Sequence, residues 1–471
     1  MNHYDHLPVD KKLIGDFFSL SRSEREVLRE EIRRLSIERG LTYQMRAGLT
    51  EEMNLVPVPA VMPLSQVGYI ARLCWEIIKI VKQIVPLYLN TPSIREILPL
   101  LPWEKKWLKE CWRPNHRMRQ PIIYRLDADV PLAAREAARS VIFFESNSVA
   151  VGGMFYAPVA ESIIADATLR TLYGKTDPFS LTRNYDTRLI VLKKLTSHAR
   201  SIGRQGLSIA VMEDKSWDTG ITEFPSFVKF LRKRGVRAYS VDPRELKLRR
   251  GELCYRGKII DIVYRNFELR DLIKLEEEGA DMSIVKEAFK RNQVVSSLSG
   301  EFDHKSLWEI LNSERFKRLF TVSQRRFLSR HIPWTRLMYE RTTTDPRGRG
   351  VDLIRFVCNH RTHLVIKPNR HCSGTGVVIG PDSTQREWEK LIEKTLRESR
   401  QWVVQKFVNN KMKRLPYRHG KRGFRLVPMY TTYGFISTPQ GFGMIGRACK
   451  RRIVNVGRGG AFLSVFRTAK R

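Results

Sequence analysis

The sequence predicts a protein that mixes helices and strands, in the α+β or α/β class. Three observations predict it. Residues 1–115 carry apolar residues at helical spacing. Residues 185–265 alternate short apolar runs with an amphipathic stretch. Residues 122–150 and 363–408 hold apolar runs that end in polar side chains, as buried strands do at a site. With 471 residues, 42% of them hydrophobic, the chain can bury a substantial core and form roughly two to four subdomains.

The first region, residues 1–115, is expected to be helical. Residues 21–40 begin with Ser-Arg-Ser-Glu, which is the pattern of a capping box, and continue with apolar residues on one helical face. Residues 61–89 form a longer apolar stretch that charged side chains interrupt. The interruptions predict an amphipathic helix pair and no membrane span.

The second region, residues 116–184, contains IIYRLDADV, a spacer and VIFFESNSVA, which predict two neighbouring strands. Arg125 and Asp127 are two positions apart, as are Glu145 and Asn147, so each pair shares one face of its strand. Carboxylate and amide oxygens are suitable ligands for Mg²⁺. An arginine beside them can steady a phosphoryl group. The alternative is a surface hairpin with a salt bridge.

The third region, residues 185–265, predicts a strand, a helix, a second strand and then a hairpin, which together make a βαβ unit. Loops at the strand ends of such a unit can hold a substrate. Glu213, Asp214 and Arg265 are therefore candidates, although Glu213 and Asp214 could equally begin a loop.

The fourth region, residues 266–471, contains an apolar run at 364–366 that predicts a buried strand leading to Lys367. Pro368 is expected to end the sheet pairing there. A further strand is predicted at residues 403–405 and leads into more apolar residues.

A loop of small residues follows Lys367 and contains Ser373, Gly374 and Gly376. A cation beside a loop with accessible backbone N–H groups suits a phosphate chain. The loop lacks the pattern of a Walker A motif and of a dinucleotide fingerprint. A hairpin with a solvated lysine is the alternative.

The order of these segments resembles that of the circularly permuted ATP-grasp family, which includes the synthetase domain of glutathionylspermidine synthase. ATP-grasp enzymes usually place the phosphate-binding lysines before the acidic cluster, whereas here the acids come first. The resemblance covers roughly residues 55–465. The motifs that carry it are, in chain order, Arg125 and Asp127, Glu145 and Asn147, residues 261–268, residues 304–308, residues 366–369, residues 404–407, and Gly446-Arg447 with residues 455–460.

The resemblance implies a role for each matching residue. Asp127, Glu145 and Asn147 would bind Mg²⁺, and Arg125 and Arg447 would contact the phosphate that is transferred. The residues expected to bind ATP are Lys305, Lys367, Ser373, Gly374 and Gly376 at the phosphates and Gln405, Lys406, Phe407 and Val408 at the adenine. Lys305 could instead occupy the first solvated turn of a helix. The sequence Ser373-Gly374-Thr375-Gly376 departs from the glycine pair that is common in relatives.

The implied function is an ATP-dependent carboxylate–amine ligase that forms an amide, or peptide-like, bond through an acyl phosphate and releases ADP and phosphate. The implied subdomains are a helical region at 1–115, an acidic segment at 116–184, a βαβ substrate subdomain at 185–265 and nucleotide-binding subdomains at 266–471. The substrates would be a small-molecule or peptide carboxylate and an amine. Two alternatives stay open: a polyanion- or RNA-binding protein on a degenerate scaffold, and an ATP-dependent phosphotransferase.

Charge and cysteine content bear on partners and location. The net charge is +35, and the last 73 residues contain 17 lysines and arginines and no acidic residue. Residues 411–425 could therefore face an acidic carrier protein, an acidic peptide or RNA, although a general solubility effect is the alternative. The six cysteines lack CxxC spacing and residues 1–5 do not resemble a secretory signal, which predicts a cytoplasmic protein.

Overall fold

The computed structural model describes residues 4–45, 49–133, 140–216, 220–371, 374–418 and 423–469. Its helices and strands are arranged around two antiparallel sheets and one parallel sheet, with smaller sheets at their edges. The mixed helix and strand content agrees with the predicted fold class.

The main sheet joins distant parts of the chain. In spatial order its strands are Ala461–Leu463, Gly441–Cys449, Phe424–Thr438, Arg125–Asp129 and Ile142–Asn147, with Met412–Arg418 paired beside Phe424–Thr438. Neighbouring strands are antiparallel. Asp127 lies opposite Gly434 on one side and Glu145 on the other. We call the strands Arg125–Asp129 and Ile142–Asn147 the acidic hairpin; its two strands confirm the predicted neighbouring pair.

A second antiparallel sheet carries Lys367, and we call it the lysine sheet. Its strands are, in spatial order, Thr335–Leu337, Trp402–Lys406, Leu364–Pro368 and Val378–Ile379. The expectation that Pro368 ends the pairing is wrong, because Pro368 lies opposite Trp402 and the N–H of Asn369 still donates to the carbonyl of Gln401. In an antiparallel ladder alternate N–H groups face opposite neighbours. The missing N–H of Pro368 therefore faces the side on which the next strand has already ended.

The predicted βαβ unit is present as a parallel sheet. Its strands are, in spatial order, Val294–Val295, Ile262–Arg265, Ser208–Met212 and Arg237–Val241. The helix Glu223–Arg232 connects Ser208–Met212 to Arg237–Val241. The predicted hairpin follows in a small antiparallel sheet of Lys247–Arg249, Glu252–Tyr255 and Lys258–Ile259.

The N-terminal region contains the predicted helices and also strands that were not predicted. Ser21 caps the helix Arg22–Arg39: its hydroxyl accepts from the N–H of Glu24 at 3.2 Å, and its own N–H donates to the Glu24 carboxylate at 2.7 Å. The strands of this region are Thr42–Gln44, Thr50–Glu52 and Ala60–Pro63. Ala60–Pro63 pairs with Val465–Thr468 near the other end of the sequence. A partner so distant leaves no local signal.

The expected helix pair at residues 61–89 is one continuous helix, Leu64–Tyr88. Most of the charged residues that interrupt the apolar run occupy its exposed side. Pro86 lies in the last turn, and the carbonyl of Lys82, four residues earlier, accepts from the Gln120 side-chain amide at 3.1 Å instead. The buried side packs against Tyr433 and Phe435 of the main sheet and is part of the largest hydrophobic cluster. This helix therefore supports the sheet that carries the acidic hairpin.

The other α-helices complete the layers around the sheets. Their bounds are Pro8–Ser19, Pro92–Ile97, Pro102–Cys111, Pro114–Met118, Tyr156–Ile164, Arg170–Tyr173, Thr187–Ser201, Leu269–Glu277, Ser283–Lys290, Leu307–Asn312, Val322–His331, Leu353–Asn359 and Gln385–Arg397. In the described parts of the chain, no helix has both the length and the apolar character needed to cross a membrane.

Candidate active site

A cleft of about 900 Å³ opens between the acidic hairpin and the lysine sheet. The hairpin supplies Arg125, Asp127, Glu145 and Asn147, and strand Gly441–Cys449 of the same sheet adds Arg447. From the facing side come Lys367 and Gln405, together with Lys305 from a nearby loop. The structure thus brings most of the predicted site residues into one cavity.

Asp127 is the centre of a cluster of arginines. Arg125 donates to both of its carboxylate oxygens, from Nε at 2.8 Å and from Nη2 at 3.0 Å. Arg447 Nη2 lies 3.0 Å from Oδ1, and the Asn147 amide donates to Oδ2 at 3.3 Å. Burial acts to raise the pKa of Asp127, but the two arginines outweigh it and hold that pKa below its usual value. Asp127 is therefore a carboxylate at neutral pH.

Arg447 keeps unused hydrogen-bonding capacity in this cluster. Its Nε is shielded from solvent and forms no hydrogen bond with any described residue, whereas its Nη2 lies against Asp127 Oδ1. Shielded donors without an acceptor cost free energy. An anion entering the cleft would provide the acceptor.

Lys305 reaches the cleft from a loop that is fixed to the lysine sheet. Its backbone N–H donates to the carbonyl of Asn369 at 3.0 Å, and its ammonium donates to the carbonyl of His371 at 2.7 Å. The same ammonium lies 3.0 Å from Glu145 Oε1. The Lys305 side chain is 8% exposed, so the alternative of a solvated helical turn is wrong.

Lys367 is held by Gln405 from the neighbouring strand. Its ammonium donates to Gln405 Oε1 at 2.8 Å and lies 5.4 Å from the centre of the Phe144 ring. The other end of the Gln405 amide donates to Thr335 Oγ1 at 3.0 Å. Desolvation lowers the pKa of Lys367 to about 8, although Glu145 opposes the shift. Gln405 therefore positions Lys367, a role that the sequence did not predict.

The inner wall beside Lys367 is apolar. Val365, Val377, Ile379, Phe407 and Val408 line it. Such a wall next to a lysine suits a flat heteroaromatic ring. Two of the predicted adenine-pocket residues, Phe407 and Val408, lie here.

Two predicted site residues do not line the cleft. Lys406 is exposed because it alternates with the buried Gln405 along its strand and points away from the cleft. Gly376 lies on the side of the loop that packs against Pro368, and a Cβ there would come within 2.7 Å of the Pro368 ring. Ser373 lies outside the described residues.

Gly374 lies where the small-residue loop meets a second loop, residues 450–460. Its φ is +68°, and a Cβ there would clash with Ile453 Cγ2. Arg458 of the second loop donates to Thr375 Oγ1 at 2.6 Å. Ile453 and Arg458 also line the cleft, so these two loops together cover one side of it.

We expect Gly374→Ala to weaken ligand binding in the cleft by more than its effect on stability would suggest. The substitution strains a left-handed residue, at about 1 kcal/mol, and also pushes the two loops apart. Gly348→Ala is the matched control, because Gly348 has φ +83° and open space around its Cβ position. Melting temperature and affinity for ATP, the ligand that the family resemblance implies, are measured for both variants. Equal affinities would contradict a role for the packing of Gly374 against Ile453.

Arg265, proposed as a substrate-binding residue, is committed to the fold. Its guanidinium donates to the carbonyls of Ser296, Phe267 and Ser297 and is ion-paired with Glu301 at 2.6 Å. It is 1% exposed and therefore inaccessible to a ligand.

Glu223 belongs to the site but was not predicted from the sequence. Glu223, at the start of helix Glu223–Arg232, lines the cleft and accepts from the N–H groups of Gly153 and Phe155, each at 2.8 Å. Burial raises its pKa to about 7. Arg125 donates to the carbonyl of the adjacent Gly152, so Glu223 fixes the loop on which Arg125 rests. Nothing in the local sequence around Glu223 indicates this contact.

The fold is similar to that of a solved structure, a glutathione synthetase-like effector from Globodera pallida in its apo form. The superposition covers 94% of this chain and 97% of that one, with a TM-score of 0.62 and 10% sequence identity. The likeness is one of fold. No protein-family model matches the sequence, and no curated protein matches it either.

Proposed function

We propose that this protein is an ATP-dependent carboxylate–amine ligase with an ATP-grasp fold in the circularly permuted order. The observation that carries the proposal is the cleft between two antiparallel sheets, with Lys305 and Lys367 facing the arginine–carboxylate cluster around Asp127. The glutathione synthetase-like neighbour supports the proposal at the level of fold. The permuted order is supported by the chain positions, since the acidic hairpin precedes both lysines.

The acidic hairpin has a donor set that fits Mg²⁺. Asp127 and Glu145 lie opposite each other on adjacent strands, as do Arg125 and Asn147. No three His, Cys, Asp or Glu side chains of the described residues form a metal-binding group, so the set depends on the amide oxygen of Asn147. A Mg²⁺ ion held by two carboxylates and an amide would complete its coordination shell with phosphate oxygens and water, which it accepts readily. Mg²⁺ bound there would offset charge on the ATP phosphates.

The charges around Asp127 and Glu145 suit Mg²⁺–ATP. The cations are Arg125, Lys305, Lys367 and Arg447, and the carboxylates beside them are Asp127 and Glu145. Their formal sum is +2, and a Mg²⁺–ATP complex carries about −2. Both carboxylates are neutralised by arginine or lysine in this structure. Phosphates would draw these cations away and leave the carboxylate oxygens to the metal.

In the proposed reaction a substrate carboxylate oxygen attacks the γ-phosphorus of ATP. The bond from that phosphorus to the bridging oxygen breaks, and ADP leaves. The amine nitrogen then attacks the acyl carbon, its proton passes to solvent or to phosphate, and the carbon–oxygen bond breaks to release phosphate and the amide. Lys305, Lys367 and Arg447 offset the charge that develops on the phosphoryl oxygens. The protein contributes mainly position and charge.

ATP affinity should fall as pH rises through about 8. Only the protonated form of Lys367 attracts phosphate, and desolvation lowers its pKa to about 8. Well above this pH the affinity should fall by up to about tenfold per pH unit, because one proton is linked to binding. Lys367→Arg should bind with little pH dependence, since arginine stays charged. Calorimetry between pH 7 and about 9.5 measures both.

The same lysine affects stability with a defined sign. Its pKa is lower in the fold than its usual value of 10.5, so the unfolded chain binds more protons between about 8 and 10.5. The contribution of Lys367 to the free energy of unfolding therefore rises with pH across that window.

An ATP affinity that is constant to high pH in the wild type would contradict the assignment of Lys367 to the phosphates.

The ligase reaction is tested by trapping the acyl phosphate. The protein is incubated with Mg²⁺, ATP and a panel of carboxylates, with hydroxylamine as the amine. A ligase should form a hydroxamate together with ADP and phosphate in equal amounts. A phosphotransferase would give ADP and a stable phosphorylated product without free phosphate. ATP binding without any ADP formation across the panel would count against both enzymes.

A further inference from the structure

Residues 229–258 carry concentrated, exposed positive charge outside the cleft. They contain eleven lysines and arginines and three acidic residues, a formal net charge of +8. All eleven basic side chains belong to exposed residues: Lys229, Arg232, Lys233, Arg234, Arg237, Arg244, Lys247, Arg249, Arg250, Arg256 and Lys258. We call this surface the edge patch.

The three acidic residues of the edge patch do little to neutralise its surface. Asp242 is 3% exposed and binds Arg244. Glu245 is ion-paired with Lys215 from outside the segment and, at 3.7 Å, with Arg256 inside it, and Glu252 is ion-paired with Arg204 from outside. Among the described residues, Lys247, Arg249 and Lys258 have no carboxylate within ion-pair distance.

The basic segments lie together because they pack on one edge strand. Arg237–Val241 is the last strand of the parallel sheet. Arg232 at the end of the preceding helix donates to the carbonyl of Ala238 at 2.7 Å. In the small antiparallel sheet, the ring of Tyr255 lies 5.8 Å from that of Tyr239 on the edge strand. Ala238 packs with the helix and Tyr239 with the small sheet, so the helix end and the small sheet flank the edge strand from its two faces.

The small sheet contains a depression with a basic lining. Its volume is about 400 Å³, and Arg244, Lys247, Arg249 and Arg256 line it. Arg256 also lies over the ring of Tyr255. Arginines on a concave surface can bind phosphate oxygens in pairs, through the parallel N–H groups of the guanidinium.

The basic C-terminal segment, where the sequence predicted an acidic partner, uses part of its charge within the fold. Lys413 is 0% exposed and binds Asp10 at 2.6 Å. Arg447 belongs to the Asp127 cluster, and Arg452 is ion-paired with Asp382 at 3.1 Å. These three cations are used in the fold, whereas others of the segment, such as Arg414, Arg425 and Lys450, are exposed.

We propose that the edge patch binds the phosphate backbone of a nucleic acid. Seven of its eleven cations are arginines, the side chain best shaped for phosphate. The patch exposes no aromatic ring for base stacking, so binding should depend on charge and not on sequence. Within residues 229–258 the large apolar side chain that is exposed is Leu248, and the exposed Ile259 follows directly after the patch. Two separate aliphatic side chains do not form the apolar face that inserts into a membrane.

The edge patch is independent of the proposed ligase site. No residue of 229–258 lines the cleft. Nucleic-acid binding and ATP turnover can therefore succeed or fail separately.

The test compares two sets of three neutral substitutions that change net charge equally. The patch variant is Lys247→Gln, Arg249→Gln and Lys258→Gln. The control variant is Arg325→Gln, Arg326→Gln and Arg330→Gln, all on the helix Val322–His331, which lies outside the edge patch. Fluorescence anisotropy with a labelled RNA duplex of about 16 base pairs measures affinity across a range of salt concentrations. Melting temperatures check that both variants fold.

The wild type should bind the duplex with a steep salt dependence. The patch variant should bind about tenfold more weakly, and its log–log salt slope should become shallower by about three, one unit for each phosphate that it no longer neutralises. The control variant should bind like the wild type.

Three results would overturn the proposal. Equal losses of affinity in both variants would show that net charge alone attracts RNA. If the duplex does not bind at low salt, the role left for the cations would be to keep the edge strand from pairing with other chains. Binding to vesicles of phosphatidylcholine and phosphatidylserine, without binding to RNA, would identify a membrane surface.

Discussion

Lys367→Met should reduce ATP-dependent ADP formation by about 100- to 1,000-fold, the usual effect of removing one charged donor from a phosphoryl-transfer site. The Lys367 ammonium faces the cleft at the end of a buried strand, and Gln405 holds it in place. Methionine keeps the length of the side chain but removes the charge. The melting temperature should change little, because the substitution ends the desolvation of an ammonium and also leaves Gln405 Oε1 without a donor. Initial rates and thermal unfolding measure the two effects.

Lys406→Met is the control for Lys367→Met. Lys406 lies on the strand that pairs with the strand of Lys367, but its side chain is exposed and does not line the cleft. Removing this charge should leave ADP formation within about twofold of the wild type. Equal decreases in rate for both variants would show that the overall positive potential matters and that Lys367 has no special position.

Glu145→Gln should abolish the dependence of ATP binding on Mg²⁺ and reduce ADP formation by at least about 100-fold. Glutamine keeps the shape of the side chain but removes the charge that the metal needs. It also leaves the Lys305 ammonium, which is 3.0 Å away, without its anion. Because Glu145 remains 25% exposed, the expected loss of stability is limited to about 2 kcal/mol. Calorimetric titration with ATP, with and without Mg²⁺, measures the binding.

Glu51→Gln provides the comparison for Glu145→Gln. Glu51 lines the same cleft from the hairpin of Thr42–Gln44 and Thr50–Glu52, away from the Asp127 cluster. Its replacement should leave the Mg²⁺ dependence unchanged. If Glu145→Gln binds ATP with a Mg²⁺ dependence equal to that of the wild type, the metal assignment on the acidic hairpin is wrong.

The sequence predicted the parts of the site that are encoded locally. The capping box at Ser21, the acidic hairpin, the βαβ unit and the strand leading to Lys367 each depend on residues close together in the chain, and the structure contains all of them. Two-residue spacing also predicted which side chains of the hairpin share a face.

The parts that the sequence did not predict depend on distant partners. The hydrogen bond between Gln405 and Lys367 follows from the register of two strands, and that between Glu223 and Gly153 joins residues that are 70 positions apart. Lys406 shows the limit of the family resemblance: a residue next to a site residue on a strand faces the opposite side. The strand Ala60–Pro63 needs a partner near residue 465.

The pairing of Arg125–Asp129 with Phe424–Thr438 has a consequence for the newly made protein. Asp127 leaves the ribosome about 300 residues before Gly434, which at normal rates of synthesis is a delay of roughly 15 to 60 seconds. During that time the acidic hairpin has no central strand beside it and no Arg447. A nascent chain should therefore be unable to hydrolyse ATP until translation has passed residue 449, so the proposed activity would begin only after nearly the whole of this sequence has been made.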